Sequence, residues 1–519
     1  MRAPLQPLSA RPWPRCGLPP DGLTRAFDAP TTIAGIEAEA CVMMRAFARA
    51  TETERRNYAV FAVVAVALFM STMASTIVAV GLPTLEEELD TTVGWIGWVI
   101  NVYALVQTIV MPVAGNLGDE LGNRKLFLWA LALFAGSSLA LGFALNVYVL
   151  IVLRGIQGIG AGVFLPVAIG IASDIFGQRR QTAIGLFTTI LTIGTIIGPN
   201  IGGVIITHLS WRWLFFVNVP IAVAVFFIGL RLLPQSDRAK RRLAIDWLGV
   251  ALFGLGIALL LYAVTFWSNH PNAMSDPLPI AFASLGLLSL IAFVRHEART
   301  PSPMVEVQLL KSWPLLMANI QQFIFGLFTV GTFSFIPYYA QVGYGMSPST
   351  SGLILTVRSI ALVLLSIVSS VALIRLGYRR PMVVGVTIIA CGLFLLGLGL
   401  RDLGIPNVAW LSIIMVITGV GLGIGAPASN NAALDVIPGK ISSISGVRGV
   451  FRNVGGIVGA AMVVIVLSHF SDKGEGLERI FLALSILVFL SIGLVFFIPD
   501  TARQRYAERK KEQASRGLS

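Results

Sequence analysis

Four arginines stand inside long apolar runs of this chain, Arg154, Arg358, Arg448 and Arg452, and no aspartate or glutamate stands at the middle of any such run. A guanidinium in an apolar medium is tolerated only where it faces protein or water, so each is a candidate for ligand binding or for coupling. The planar fork of arginine matches carboxylates and phosphates, and Arg358, in LILTVRSIALVLL, therefore points to an anionic or zwitterionic ligand. Arg154, in LRGIQGIGAG, has Gln157 one helical turn on and on the same face. Its competing reading is a side chain that snorkels to the membrane surface, which is also what Arg448 and Arg452, one turn apart near a helix end, are expected to do. Asn101, Gln107, Gln321 and Gln322 complete, with Arg358, the side chains expected to line a substrate cavity, although buried amides commonly bond another helix instead. The first apolar run closes on STMASTIVAVGLPTL, residues 71–85, whose polar side chains are all hydroxyls. The counter-ion that a proton or a cationic substrate would use is missing there.

These side chains must be positioned by membrane helices. Hydrophobic residues make up 55% of 519 positions and charged residues 12%, and the mean hydropathy is +0.81, far from the make-up of a soluble domain. A bilayer core about 30 Å thick takes roughly 20 apolar residues per helix. Runs of that kind fall near 57–82, 94–114, 126–144, 147–172, 182–206, 213–232, 247–267, 278–294, 315–340, 349–373, 381–400, 406–430, 445–469 and 480–498, which predicts fourteen spans, the eighth being the shortest. No alternating barrel pattern occurs, so the fold class is an all-α membrane protein.

Charge gives the topology. Of the 38 Lys and Arg, the loops on one side hold only Arg212, Arg401, Lys473 and Arg479. Nearly all the others outside the helices lie on the opposite side, which the positive-inside rule makes cytoplasmic, with both termini there. This asymmetry also accounts for the net charge of +12 without a nucleic-acid partner. Cys16, Cys41 and Cys391 form no spaced cluster, and His208, His270, His296 and His469 fall at helix ends or loops, so neither a metal site nor a disulfide framework is expected. Residues 1–56 are read as a cytoplasmic N-terminal segment. Its first ~42 residues, rich in Pro and Arg, are expected to be disordered and are read as an over-extended start at Met1, with Met43 or Met44 as the expected start.

A degenerate repeat lies in the inner loops. GNLGDELGNRKLFL, from Gly115, follows the second run, and SVALIRLGYRRPMVV, from Ser370, follows the tenth. Setting Gly377 on Gly122 puts Arg379 on Arg124 and Arg380 on Lys125, while Asp119 meets Ile374. The organisation that follows is a six-helix half at 57–232, a linker with two inserted helices at 233–313, a second half at 314–498 and a tail at 499–519. Parallel six-helix halves around a midplane site describe one large class of secondary transporter.

At this point the chain resembles the major facilitator superfamily, in its fourteen-helix drug:proton antiporter type. The resemblance rests on GNLGDELGNRK, on LRGIQGIGAG, on GTIIGPNIGG and on LSWRWLFFVNVPIAV, and covers about 55–499. It implies a fold of two six-helix halves plus two inserted helices, and alternating access. The loop motif, Gly115, Asp119, Gly122, Arg124 and Lys125, is implied to be a latch between conformations. Arg154 and Gln157 are implied to take part in coupling, and Gly194, Gly198, Pro199, Gly202 and Gly203 to form the antiporter motif common among exporters. By spacing alone, Gly194, Gly198 and Gly202 make a small-residue stripe for close helix approach. The family usually carries Leu-Asp-x-Thr-Ile-Val-Asn in its first helix. Here Ala74 and Ala79 replace the acid and the amide.

The function expected is a secondary active exporter of amphipathic small molecules in the plasma (inner) membrane, a multidrug efflux antiporter by resemblance, with the proton as an unproven coupling ion. Its partners are a small-molecule substrate and the lipid bilayer, with oligomeric state left open. One rival is a carrier of an anionic or lipid-like metabolite using Arg154 and Arg358, and another is a non-transporting membrane sensor on the same fold. No nucleophile and base pair and no nucleotide fingerprint occur, so no enzyme activity, cofactor or metal is expected.

Overall fold

The computed structural model describes residues 52–176, 180–234, 246–270, 276–300, 303, 305–401, 404–437 and 441–500. The extension at 1–42 and most of the linker at 233–246 lie outside them. So does the side chain of Asp119. The chain divides into two compact units, one ending at Phe61 and one beginning at Ala62. Of the first, only the opening turns of the helix Glu52–Thr76 are described.

Among the described residues the regular elements are all helical, and fourteen helices are long and apolar enough to cross a membrane. They are α1 Glu54–Glu88, α2 Val93–Leu121, α3 Asn123–Gly142, α4 Val147–Phe176, α5 Arg180–His208, α6 Trp213–Leu232, α7 Trp247–Asn269 and α8 Pro277–Glu297. They continue as α9 Trp313–Tyr344, α10 Pro348–Leu376, α11 Arg379–Gly397, α12 Asn407–Leu434, α13 Ile441–His469 and α14 Lys473–Val495. The eighth, shortest run is a full span that opens on Pro277 and is capped by the Asp276 carboxylate, which accepts from Leu278 N at 2.9 Å.

The two spans that open the halves carry stretches that are not α-helical. α1 passes through a 3-10 segment at Ile77–Gly81, and α9 through a π turn at Leu327–Gly331 followed by a 3-10 turn at Thr332–Phe335. Broken helices at corresponding places in two repeats mark the region where transporters place their ligands.

The end that carries the Gly122 and Gly377 turns is called the inner end here. Both glycines close a helix with positive φ, +89° at Gly122 and +76° at Gly377, a conformation that a side chain opposes. The repeat read from the sequence thus has a backbone counterpart. Each following arginine then caps the last span of its own half. Arg124 Nη2 donates to Leu230 O at the end of α6, 2.6 Å, and Arg379 donates to Phe496 O at 3.1 Å and Ile498 O at 3.2 Å beyond the end of α14. Carbonyls at a helix C-terminus are unsatisfied and carry partial negative charge, which favours a cation there.

The inserted pair sits to one side. α7 packs on α2 and α13, while α8 packs on α7. Trp98 Nε1 donates to Thr265 Oγ1 at 2.6 Å, fastening α7 to α2. At the inner ends His296 Nε2 meets Asp246 Oδ1 at 2.7 Å, and the buried Glu297 accepts from Val305 N at 3.0 Å. His296, at a helix end as its place in the sequence predicts, is the clasp between the two inserted helices. Burial raises the Asp246 pKa, but the Gly249 N–H, the His296 ring and the Glu297 carboxyl outweigh it and leave the acid below its ordinary value.

Candidate functional site

The hydroxyls of the opening stretch are spent within α1. Ser71 donates to Leu68 O, Thr72 to Phe69 O, Ser75 to Thr72 O and Thr76 to Thr72 O, the local back-bonding open to Ser and Thr in helices. They are therefore not the groups that replace the missing acid.

Arg154 lies two turns into α4 and is fully buried, which excludes the snorkelling alternative. Its Nε donates to Val99 O at 2.9 Å, and its Nη1 donates to Gln157 Oε1 at 2.6 Å and to Ala74 O at 3.2 Å. Gln157 Nε2 passes the bond on to Ser138 Oγ at 2.8 Å. The guanidinium lies 4.2 Å over the Tyr103 ring, and Tyr103 OH donates to Ser71 O at 2.8 Å. One arginine thus joins α1, α2, α3 and α4, and only its Nη2 lacks a partner.

The glycine stripe of α5 does what its spacing predicts. A Cβ on Gly194 would strike Thr72, one on Gly198 would strike Thr76, and one on Gly202 would lie 2.6 Å from Ile77 O. Gly203 turns to the other half, where a Cβ would lie 2.7 Å from Pro348 O. Pro199, buried beside it, presents its carbonyl to Gly352 of α10, and Asn200 donates to Thr356. The motif therefore grips the first span and the tenth together. Asn200, Thr356 and Gly352 were not singled out in the sequence, and the Pro-Asn pair inside a glycine stripe was the available signal.

The remaining contacts between α1 and α9 lie at the outer end. Tyr338 OH donates to Glu86 Oε2 at 3.0 Å, and Gln341 Nε2 donates to Val80 O at 2.9 Å and to Ser351 Oγ at 3.2 Å. One large apolar core joins Ile77, Val78 and Leu82 with Phe333, Ile336 and Ile354. The core of the inner half, by contrast, takes only Leu105 from the buried residues of the first six spans. Gly115 is exposed, with nothing within 4 Å of its Cβ position, and Gly446 and Gly449 on α13 are equally open. Among the described residues the halves meet at the outer end and again at mid-depth, where Asn453 Nδ2 of α13 donates to Thr108 Oγ1 of α2 at 2.8 Å.

The predicted cavity residues do not form one cluster. Gln321 accepts from Ser429 Oγ at 3.3 Å, and Gln322 accepts from Arg448 Nη2 at 2.8 Å. Arg448 also donates to Ala318 O and Ser429 Oγ. It is buried, so the snorkelling expected of it is wrong: a chain of amide and hydroxyl partners on α9 and α12 holds it inside. Arg452, one turn on, is exposed. Asn101 is buried on α2 and Gln107 is half-buried further along it. Arg358 touches none of these and stacks 4.5 Å over Phe333. Trp211 is also buried and donates to Glu88 Oε2 at 2.9 Å.

Of the latch motif, Gly122 makes the turn, Arg124 caps α6, Lys125 is exposed and Gly115 is open. In the second copy Asp500 plays a part that Ile374 cannot. Its carboxylate accepts from Tyr378 N at 2.7 Å and lies within 3.5 Å of Arg379 N, at the N-terminus of α11, where negative charge is favoured. Asp500 went unnoticed because it stands more than a hundred residues from the turn it serves. Among the described residues no group of three or more His, Cys, Asp and Glu could hold a metal ion.

The family model described as Major Facilitator Superfamily matches residues 64–345 and 318–519. The multidrug transporter protein MdtP of Bacillus subtilis is 29% identical over 79% of this chain and 75% of its own length. The tetracenomycin C resistance and export protein of Streptomyces glaucescens is 27% identical over 79% of this chain and 77% of its own. The crystal structure of the human organic anion transporter MFSD10 superposes with a TM-score of 0.55 at 16% identity, covering 85% of this chain and 99% of that one, a likeness of fold.

Proposed function

Because this chain belongs to the major facilitator superfamily, and is a multi-pass membrane transporter of small molecules on that account, we propose that it exports amphipathic compounds by alternating access. The relatives named for multidrug transport and for export of an antibiotic support the direction. The observation that carries the reading is the α5 stripe. Its glycines admit α1 into contact, while Pro199, Asn200 and Gly203 meet α10 at the closed outer end. A seam made of small residues and a few hydrogen bonds can part without unpacking either half, as rocking of two halves around a central site requires. In this reading the inner membrane holds the protein with both termini cytoplasmic, and substrate enters from the cytoplasmic side.

The latch and coupling assignments belong to the same proposal. Gly122 and Gly377 hold the inner turns, and Asp119 is the switchable acid of the first. Arg154 keeps the first half rigid while it moves. Flux of a substrate panel in proteoliposomes under an imposed pH gradient tests the function. Movement of amphipathic compounds that depends on the protein supports it, and pH dependence of that movement identifies the proton as the coupling ion. Binding of ligand with no flux under any gradient would refute export.

A further inference from the structure

We infer that Arg358 is the recognition group for a substrate that carries an acidic head on an aromatic or apolar body, so that the exported compounds are amphipathic organic anions. The inference rests on the export reading and names its substrate class. Three observations place a ligand there.

The first is position. Arg358 is ten residues into α10, which starts at Pro348, and at 1.5 Å per residue it lies about 15 Å from the outer end, near the middle of the bilayer. The exposed residues Leu353, Val357, Ile360 and Leu364 recur at helical spacing and mark the face turned to lipid. Arg358 lies on the opposite face, with the buried Ser351 and Leu355, so its partial exposure opens to the interior of the bundle.

The second is the lack of a partner. Among the described residues the guanidinium makes no hydrogen bond and no ion pair, and its Nε and Nη1 are buried without one. Its one contact of note is the face of Phe333, a cation–π contact that does not satisfy the donors. An unpaired buried charge is costly, and a carboxylate or sulfonate brought to the guanidinium is the ligand that removes the cost.

The third is the setting. Phe333 belongs to the irregular stretch of α9, and its ring adjoins Phe328 at 6.1 Å, which adjoins the half-buried Phe325 at 5.1 Å. These rings give the guanidinium an apolar surround, of which Phe325 is the half-buried end. In the register that sets Gly377 on Gly122, Arg358 falls on Tyr103, whose ring is covered by Arg154. The first half therefore fills the equivalent place with an arginine held through Nε and Nη1, whereas the arginine of the second makes no hydrogen bond among the described residues.

The test uses purified protein in lipid nanodiscs and two dansyl probes alike in everything but the head, one a carboxylate and one a trimethylammonium. The carboxylate probe is expected to bind at least tenfold more tightly than its twin, Arg358→Gln to erase that difference, and Arg358→Lys to restore part of it. Without probe, Arg358→Gln is expected to melt at or above the unsubstituted protein, since it removes an uncompensated charge. Equal affinity for the twins, equal loss of both on Arg358→Gln, or a fall in melting temperature for that variant would overturn the inference. Flux in vesicles separates it from the export reading. Transport of the cationic twin alone refutes the anion site and leaves export standing, whereas selective anion binding with no flux of either does the reverse.

Discussion

Arg154 Nη1 donates to the backbone oxygen of Ala74 at 3.2 Å, so the buried arginine of α4 reaches the residue where the family usually carries its first-helix acid. Nη2 of the same guanidinium is left without a partner. An acid at residue 74 would therefore meet an arginine before it met a cationic substrate, and Ala74→Asp is expected to give little or no gain in export of a lipophilic monocation. Flux of such a cation, compared between the two proteins, checks this. A large gain would mean that the new carboxylate stays free.

Arg154→Met should lower stability by about 1–3 kcal/mol, because Val99 O, Ala74 O and Gln157 lose a buried donor. Arg154→Lys should recover little, because one ammonium cannot reach Val99 O, Ala74 O and Gln157 together. Thermal unfolding of both variants in detergent reads the difference.

The glycines of the antiporter stripe and of the latch should part company. Gly202→Ala places a methyl 2.6 Å from Ile77 O and should cost about 1–3 kcal/mol by overpacking, with loss of flux. Gly115→Ala meets nothing within 4 Å and should leave stability unchanged. Equal melting temperatures for the two variants would contradict the packing described.

Gly122→Ala and Gly377→Ala should each destabilise by about 1–3 kcal/mol, because both residues hold positive φ. Gly377 should be the more sensitive, since its Cβ would lie 2.6 Å from the Asp500 carboxylate. Asp500→Asn in the Gly377→Ala background should show coupling by double-mutant cycle.

The clasp of the inserted pair is a pH-dependent element. Asp246 titrates below its ordinary value in the folded protein, so its contribution is complete above the unfolded carboxylate pKa of about 3.9 and is lost as pH falls through the lower folded value. The melting temperature should therefore fall more steeply below about pH 4 in the unsubstituted protein than in Asp246→Asn, which should be the less stable of the two at pH 7.

Gln341→Ala removes the bonds to Val80 O and Ser351 Oγ at the outer closure. In a protein whose Cys391 has been replaced, Ser351→Cys should then react several times faster with an impermeant thiol reagent added outside. Unchanged labelling would show that the apolar core at Ile77 and Phe333 holds the outer end closed by itself.

The spans were legible because hydropathy over some twenty residues is a local property, and the described helices follow the apolar runs closely, α8 included, although its run is the shortest. The inner-loop repeat was legible for a related reason: positive φ at Gly122 and Gly377 is a demand that each glycine meets in its own backbone. The stripe of α5 could be read as a close-packing face from spacing, but not which helices it would receive.

Side-chain partners were another matter. Arg154 finds Ala74 O across 80 residues, Arg448 is held by Gln322 and Ser429 on two other helices, and Tyr378 N takes a carboxylate 122 residues away. None of these pairings is encoded by neighbours in the chain. An arginine among apolar residues announces only that it must not face lipid; whether it snorkels, welds a bundle as Arg154 does, or waits unpaired as Arg358 does depends on which carbonyls and rings the other helices bring alongside. Sequence alone thus determined the fourteen spans, their turns and the list of charges that need an explanation, because those follow from solvation and local sterics. The tertiary structure decided which charge is satisfied and which is free, because a hydrogen bond is settled to within an ångström by the packing of helices far apart in the chain.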